Sequence, residues 1–598
     1  MVGASQVARE AGHPLGLGRW PVMVAGLLLA ASAVRCGEGP RTAASPAPAL
    51  ATPTQPDTGP WFVDRAHDYG LDVITTCGQP EKRSVVESIG TGLALFDADG
   101  DGDLDLFVAA TSRVEDGSIR PAGGPWLFRN DGPGRWTDLS ATSGLHHTGW
   151  SQAVAPADYD GDGDLDLFIA QLGPDVLWQN QGDGTFLNVT ARSGLHDQYW
   201  GVGATWGDVD GDGWPDLYVT NYLEADPIHP APPLDYLPGF PVFRGPTALP
   251  GQPDLLWRNR GDGTFEDITF SSGVARSDGK GMAALFADLD NDGRLDLFVT
   301  NDTQSNDLFR GLGNGRFQQV AHEAGVAVSP MGIAEGSMGI DVADVDGDGQ
   351  LDLAFTNFRH EGTRLYRNLG NHLYEDISTG SFVGVNTLRF VGWGLALADF
   401  DNDGWPDLFQ ANGHVYPGVP DADYDQPLLF LRNTSGGRFE PATELWGPNL
   451  DRLRSGRGAT VGDLDNDGDL DLVVSTIDGP LRVLVNNGRR TAHAVRIRLV
   501  GQHPNREALG ARVEIQAAGR TQIGVVRRGG SFLSASDVSL HFGLGDARSI
   551  DQITIRWPNG RSQGHAGLPV DAQLTIREAE AAVAVIPFLR PIVETEKP

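Results

Sequence analysis

The chain predicts an all-β fold, a seven-bladed β-propeller with cation-binding loops, followed by a small separate β domain. The first reason is repetition: DADGDGDLDLF at 97–107 recurs as DYDGDGDLDLF (158–168), DVDGDGWPDLY (208–218), DLDNDGRLDLF (288–298), DVDGDGQLDLA (344–354), DFDNDGWPDLF (399–409) and DLDNDGDLDLV (463–473). Self-similarity that recurs along a chain, here at intervals of roughly 50–80 residues, marks arrays and rings. The second is that each copy ends in an apolar run of Leu, Phe, Val and Tyr, the composition of a strand. The third is bulk composition, with 79 glycines and 38 prolines among 598 residues and no long helical periodicity.

Every copy carries Asp at relative positions 1, 3, 5 and 9 and Gly at position 6. The carboxylates are Asp97, Asp99, Asp101 and Asp105, then Asp158, Asp160, Asp162 and Asp166, then Asp208, Asp210, Asp212 and Asp216. The fourth and fifth copies supply Asp288, Asp290, Asp292, Asp296, Asp344, Asp346, Asp348 and Asp352. The last two supply Asp399, Asp401, Asp403, Asp407, Asp463, Asp465, Asp467 and Asp471. Four carboxylates in one short loop repel one another unless a hard cation with six to eight oxygen ligands sits among them. Calcium fits best, up to seven ions. An EF-hand is the rival, but it closes a twelve-residue loop with Glu between two helices. Here position 12 is Val108, Ile169, Val219, Val299, Phe355, Gln410 and Val474, inside a strand pattern.

The net charge of −34 is largely these loops, which hold 28 of the 79 acidic residues. Seven calcium ions would still leave the chain at about −20, and no basic patch opposes that field, which argues against a nucleic-acid partner. Two cysteines, Cys36 and Cys77, are too few for a disulfide scaffold.

From the N-terminus, Arg9 and Arg19 precede an apolar stretch at 21–34 that ends near Ala31-Ser32-Ala33. That order predicts a signal peptide or N-terminal anchor over 1–36, hence a secreted, periplasmic or cell-surface protein, with membrane attachment only if the segment is uncleaved or lipidated. The Pro, Ala and Thr-rich stretch 37–60 reads as a disordered linker.

Residues 61–487 hold the ring. Between acid loops stands a second repeated sentence, as in LWQNQGDGTFLNV (177–189) and LWRNRGDGTFEDI (256–268), which reads as strand, tight turn, strand. A Gly-rich third element such as GTGLALFD (90–97) leads into each loop; glycine weakens a strand unless backbones converge, as they do around a central axis. Each unit therefore has about four strands. The seventh lacks its Gly-x-Phe strand, and WFVDRAHDYGL (61–71) supplies it from the other end of the ring, a clasp that removes the open edge. Beyond 488, AVRIRLV, ARVEIQAA, QIGVVRR, DVSLHFGLG and DQITIRWPNG predict strands of a second domain over 488–580, with a tail at 581–598.

Residues 61–487 resemble FG-GAP/VCBS repeat propellers. Residues 505–564 resemble the ASPIC/UnbV domain through Gly510-Ala511, Gly530-Ser531-Phe532-Leu533-Ser534, His541-Phe542-Gly543-Leu544-Gly545 and Trp557-Pro558-Asn559-Gly560. With Asn412-Gly413-His414 the combination is similar to the cartilage acidic protein family and its bacterial relatives. That resemblance implies calcium on the first, third, fifth and ninth loop residues and implies no enzyme activity. Fold alone does not fix function.

Each loop feeds a strand, so the segment after that strand emerges on the opposite face. This places the long insertions 111–124, 223–253 and 411–427 on one rim. Their candidate ligand-binding residues, with the neighbouring Tyr222, are His229, Tyr236, Phe243, Arg244, Asn412, His414, Tyr416 and Tyr424. Aromatic packing of the loops onto the ring competes with that reading, and His414 beside Asn and Gly reads better as a loop organiser than as a base. Trp557, Phe532 and His541 suit a core better than a ligand patch. The functional expectation is a calcium-stabilised binding or adhesion module for protein or glycan. The alternative is a secreted enzyme acting on polysaccharide or in secondary metabolism, its pocket on the insertion face. No Ser-His-Asp pattern, GxSxG or HExxH supports the latter.

Overall fold

Seven four-stranded antiparallel sheets, numbered here by the acid loop each carries from loop one at 97–107 to loop seven at 463–473, build the ring in a computed structural model that describes residues 61–442, 447, 454–488 and 492–589. The segments expected as a signal or anchor (1–36) and as a linker (37–60) lie outside the described residues, as do residues 590–598. Sheet 2 shows the pattern: Trp150–Ala157, Asp166–Leu172, Val176–Asn180 and Phe186–Asn188 pair in chain order. The acid loop joins the first strand to the second, and the position-9 aspartate opens the second strand in every sheet. Among the described residues the helices are short pieces of four or five residues, and none is long and apolar enough to cross a membrane.

The first strands pack side by side around the axis, and the circle closes between sheet 7 and sheet 1. Close approach explains their glycines. A Cβ on Gly92 would lie 2.3 Å from the Leu533 carbonyl oxygen and 2.4 Å from that of Gln152, and one on Gly339 would lie 2.1 Å from that of Trp393. Hydroxyls near the ends of second strands stitch neighbours together: Thr356 Oγ1 donates to the Trp393 carbonyl at 2.9 Å and Ser475 Oγ to that of Thr91 at 2.7 Å.

The clasp forms as expected. Phe62–Asp64 pairs with Arg482–Asn486 in the register Phe62↔Asn486, Val63↔Val485 and Asp64↔Leu484, completing sheet 7 from the N-terminal side. Phe62 is buried and stacks on Phe430 at 5.0 Å, so the closing strand is held by core packing as well as by backbone bonds.

The C-terminal region has two four-stranded sheets of its own. Leu540–Gly545, His493–Val500, Ala572–Arg577 and Val583–Pro587 form one; Arg520–Val525, Arg512–Ala517, Ile550–Arg556 and Ser562–Leu568 form the other. Two corrections follow. Val583–Pro587, expected in the tail, is an edge strand on Ala572–Arg577. The region is separate in its sheets but not in its packing, since the described residues of the ring and of the C-terminal region fall in one compact unit.

The join runs along the ring axis. Segment 528–536 enters the centre and meets the first strand of every sheet. Ser531 exchanges backbone bonds with Ile340 at 2.6 and 3.0 Å, Val154 N donates to the Leu533 carbonyl at 3.0 Å, and Ala535 exchanges with Leu93 and Leu95 at 2.9 and 3.1 Å. Ser531 Oγ accepts from Leu395 N and donates to the Ala459 carbonyl. Thr205 Oγ1 donates to the Arg528 carbonyl, and Gly529 bridges to Leu285. Phe532 is fully buried against Trp393, with ring centres 4.9 Å apart. Trp557 is buried too, and His541 Nε2 pairs with Asn402 Oδ1 at 2.7 Å, so these residues serve packing and docking rather than an open aromatic patch.

Candidate metal centres and the insertion face

The loops owe their shape to two left-handed residues. Position 4 is Gly or Asn and position 6 is Gly, and in the first loop Gly100 and Gly102 take φ of 79° and 95°; Asn291, Asn402 and Asn466 hold φ of 62°, 57° and 58°. These are the residue types that tolerate that region. The turn lets the position-1 carboxylate accept from two backbone N–H groups: Asp97 from Gly100 at 2.8 Å and from Gly102 at 3.1 Å.

Position 9 is the frame. Asp105 accepts from Ala98 N and Asn130 N, both at 2.8 Å, and the same two bonds recur at Asp216 from Val209 and Asn259, and at Asp471 from Leu464 and Asn486. The Arg-Asn pair of the second repeated sentence now has a reason. Asn130, Asn180, Asn259, Asn368, Asn433 and Asn486 each donate Nδ2 to the position-2 carbonyl of the preceding loop, at 2.7 to 2.9 Å, tying neighbouring sheets together. Sheet 4 has Gly311 there instead. The preceding arginine turns to its own loop, as with Arg367 and Asp346 at 2.7 Å or Arg432 and Asp403 at 2.7 Å.

Positions 1, 3 and 9 converge. In the first three loops one carboxylate oxygen from each of the three aspartates lies within 4.8 Å of the others. The position-5 groups Asp101, Asp162 and Asp212 stand exposed at the loop mouths. Buried oxygens on Asp158, Asp288, Asp346 and Asp465 have no hydrogen-bond partner. Burial, reinforced by neighbouring carboxylates, pushes Asp105 and Asp352 up to about 8 and Asp158 to about 7. Orphaned buried oxygens beside carboxyl groups that resist ionising are a donor set fitted to a hard divalent cation.

The C-terminal domain lies on this acid face. Arg498 stands 3.4 Å from Asp97, Arg556 3.8 Å from Asp288 and Arg496 3.2 Å from Asp463. Arg506, Arg512 and Arg520 donate to the carbonyls of Gly161, Gly349 and Asp403 in loops two, five and six. The third loop is met by His503, edge-on to Trp214 with ring centres 5.2 Å apart. Every acid loop therefore touches the C-terminal domain.

The opposite face carries the insertions, and 223–253 meets 411–427 there. Tyr416 packs against Phe243 and Tyr236 with ring centres 4.7 and 5.6 Å apart, and Asp421 pairs with Arg359 at 2.9 Å. The insertion at 111–124 is the hairpin Thr111–Glu115 with Ser118–Gly123, docked through Ser112 on His147 at 2.9 Å. The candidate residues divide. Tyr222 is buried with its hydroxyl on Asp302 at 2.5 Å, Asn412 is buried on the Pro427 carbonyl at 2.8 Å, and buried His414 Nδ1 accepts from Tyr416 N at 3.1 Å. Tyr424 is mostly covered. Those four hold the loops; His229 is exposed and Tyr236 and Arg244 are half-buried, with His229 on Asp226 and Arg244 on the Pro232 carbonyl.

A repeat ring with acid loops and this C-terminal domain defines a class. Residues 97–169, 160–219, 248–299, 288–355 and 421–474 match the FG-GAP-like repeat, and residues 501–583 match ASPIC and UnbV. The chain is an FG-GAP repeat protein with an ASPIC and UnbV domain, related to cartilage acidic protein 1. It is 26% identical to the mouse (Mus musculus) protein over 325 residues, 53% of this chain and 48% of that one. To the Xenopus tropicalis protein it is 28% identical over 191 residues, 31% of this chain and 27% of that one. The chain thus spans about half or less of these curated relatives. Among solved structures, an Agrocybe aegerita lectin recognising terminal N-acetylglucosamine matches with TM-score 0.34 and 17% identity over 61% of this chain and 87% of its own. The rhamnogalacturonan lyase YesW matches with TM-score 0.32 and 13% identity over 85% and 92%. Likeness at that level carries no functional argument.

Proposed function

We propose that the chain is an exported, calcium-stabilised binding module that recognises protein or glycan through the insertion-bearing rim. The observation that carries this reading is the division of the two faces: the C-terminal domain covers the acid loops, and the joined insertions 223–253 and 411–427 stand on the other side. Calcium would be held by the position-1, 3 and 9 aspartates, with position 5 closing from the mouth, as a structural clamp. A site with Kd near ~10⁻⁴ M at ~1 mM free ion stabilises by about 1.4 kcal/mol. On the rim, Tyr236, His229 and Arg244 would meet the partner, while Tyr222, Asn412 and His414 keep the insertions in shape.

The test is capture from culture medium and cell envelope, with and without calcium, by the full chain and by a chain whose 229–243 segment is replaced with a Gly-Ser linker. Capture that needs both calcium and the insertion is expected. Equal capture by the two chains would refute recognition at the rim. Unchanged circular dichroism and melting in EGTA would refute the calcium clamp.

A further inference from the structure

The fourth acid loop has a nitrogen donor that the repeat pattern does not call for. In the turn between third and fourth strands, five sheets place glycine at one position: Gly134, Gly184, Gly263, Gly315 and Gly437, all with φ between 66° and 82°. The turn from sheet 5 has His372 there, at φ 56°. A side chain in that region costs on the order of 1 kcal/mol that glycine avoids, so the turn itself does not call for histidine.

The position also dictates where the side chain goes. A Cβ built on Gly184, Gly315 or Gly437 would lie 3.9, 3.6 or 3.7 Å from the Cβ of Asp99, Asp210 or Asp346, the position-3 aspartate of the preceding loop. His372 follows that path into loop four. Its Nδ1 stands 3.2 Å from Asp290 Oδ2, and its Nε2 stands 3.0 Å from Asp296 Oδ2 without the alignment of a hydrogen bond. The residue is 6% exposed. Ligand atoms of Asp290, Asp296 and His372 all lie within 4.8 Å of one another, and the buried Asp288 Oδ1 beside them has no partner. Arg310 Nη2 comes no closer than 3.6 Å to Asp290 Oδ2.

We propose that loop four is a mixed nitrogen and oxygen site for a first-row transition ion, built from His372, Asp290 and Asp296 with Asp288 in reach, and that it prefers zinc to calcium. Calcium takes oxygen ligands, whereas imidazole with carboxylates suits zinc and its neighbours. The other loops keep all-aspartate carboxylate sets. The inference rests on the loops being cation sites, and its test separates the two readings.

The full chain is stripped with chelator and dialysed against millimolar calcium plus a small excess of zinc chloride, and bound metals are counted; cobalt replaces zinc for visible absorption. The expected result is one zinc per chain retained against calcium, with cobalt bands reporting a nitrogen ligand. In His372→Gly, which restores the residue of the other turns and so should fold, zinc affinity should fall by at least about 100-fold and the cobalt bands should vanish. Zinc held equally by both chains would place the metal elsewhere and overturn the assignment. So would a wild-type chain that takes calcium in loop four and no zinc. One zinc bound with no calcium at all would leave this site standing and sink the calcium clamp instead.

Discussion

Replacing Phe532 by alanine should loosen the ring and the C-terminal sheets together. The phenyl ring is fully buried on the axis against Trp393, whose other contacts include the guanidinium of buried Arg457, 4.2 Å from the indole. Truncating a buried Phe to Ala costs about 3–5 kcal/mol through lost transfer energy and the cavity left behind. The rest of segment 528–536 is held by backbone and hydroxyl contacts to all seven sheets, so little collapse is available to fill the hole. With an unfolding entropy of ~2 cal/mol/K per residue over roughly 500 residues, that loss lowers Tm by about 3–5 °C. Scanning calorimetry in saturating calcium is the assay, with Phe532→Leu as a milder control. One shifted transition is expected, because ring and C-terminal domain share this core. A separate early transition for the C-terminal domain with the ring unmoved, or no shift at all, would refute the shared-core reasoning.

Other outcomes follow from the same geometry. Asp216→Asn should cost about 1–3 kcal/mol even without metal, because one of two inward N–H donors would face an amide group, whereas exposed Asp212→Asn should weaken only calcium binding; denaturant titration with and without EGTA checks the contrast. Deleting residues 61–71 should remove the outer strand of sheet 7 and the Phe62 contact, speeding hydrogen exchange at Val483 and Val485, and unchanged cooperative melting would dismiss the clasp. Burial, with Glu335 nearby, pushes Glu361 up to about 7. The folded state then binds more protons than the unfolded one between the ordinary carboxylate range and pH 7, so this stabilisation is present at pH 5 and lost as pH rises through 7. In saturating calcium Tm should drop by a few °C from pH 5 to pH 8, and Glu361→Gln should flatten part of that slope.

The ring was legible because its signals are local and repeated. Asp-Gly loops, Arg-Asn turns and glycine-rich first strands each report a short-range constraint, and the missing strand of the seventh unit pointed to Phe62–Asp64. The C-terminal strands were less so: Ser562–Leu568 is SQGHAGL, a half-exposed strand with little apolar alternation, and Val583–Pro587 needs its partner Ala572–Arg577 to be seen. The axial segment reads as a motif in the sequence, but nothing local in Gly-Ser-Phe-Leu-Ser says that seven distant strands surround it. Burial also sorted the insertion residues in a way composition does not: His414 and His229 are the same residue type, one sealed under Phe358 and the other in solvent. His372 was visible as a break in a glycine column, yet its meaning required knowing which loop that turn overhangs.

An axial segment whose bonds are shared out among all seven sheets also sets the size of the ring. Repeat arrays commonly lengthen or shorten by duplicating or losing a unit, each junction being equivalent to the next. Here one unit more would widen the hub and leave backbone groups on segment 528–536 without seats, while one fewer would crowd Phe532 out of it. The chain can vary its loops freely, but its count of sheets is tied to a nine-residue stretch that belongs to none of them.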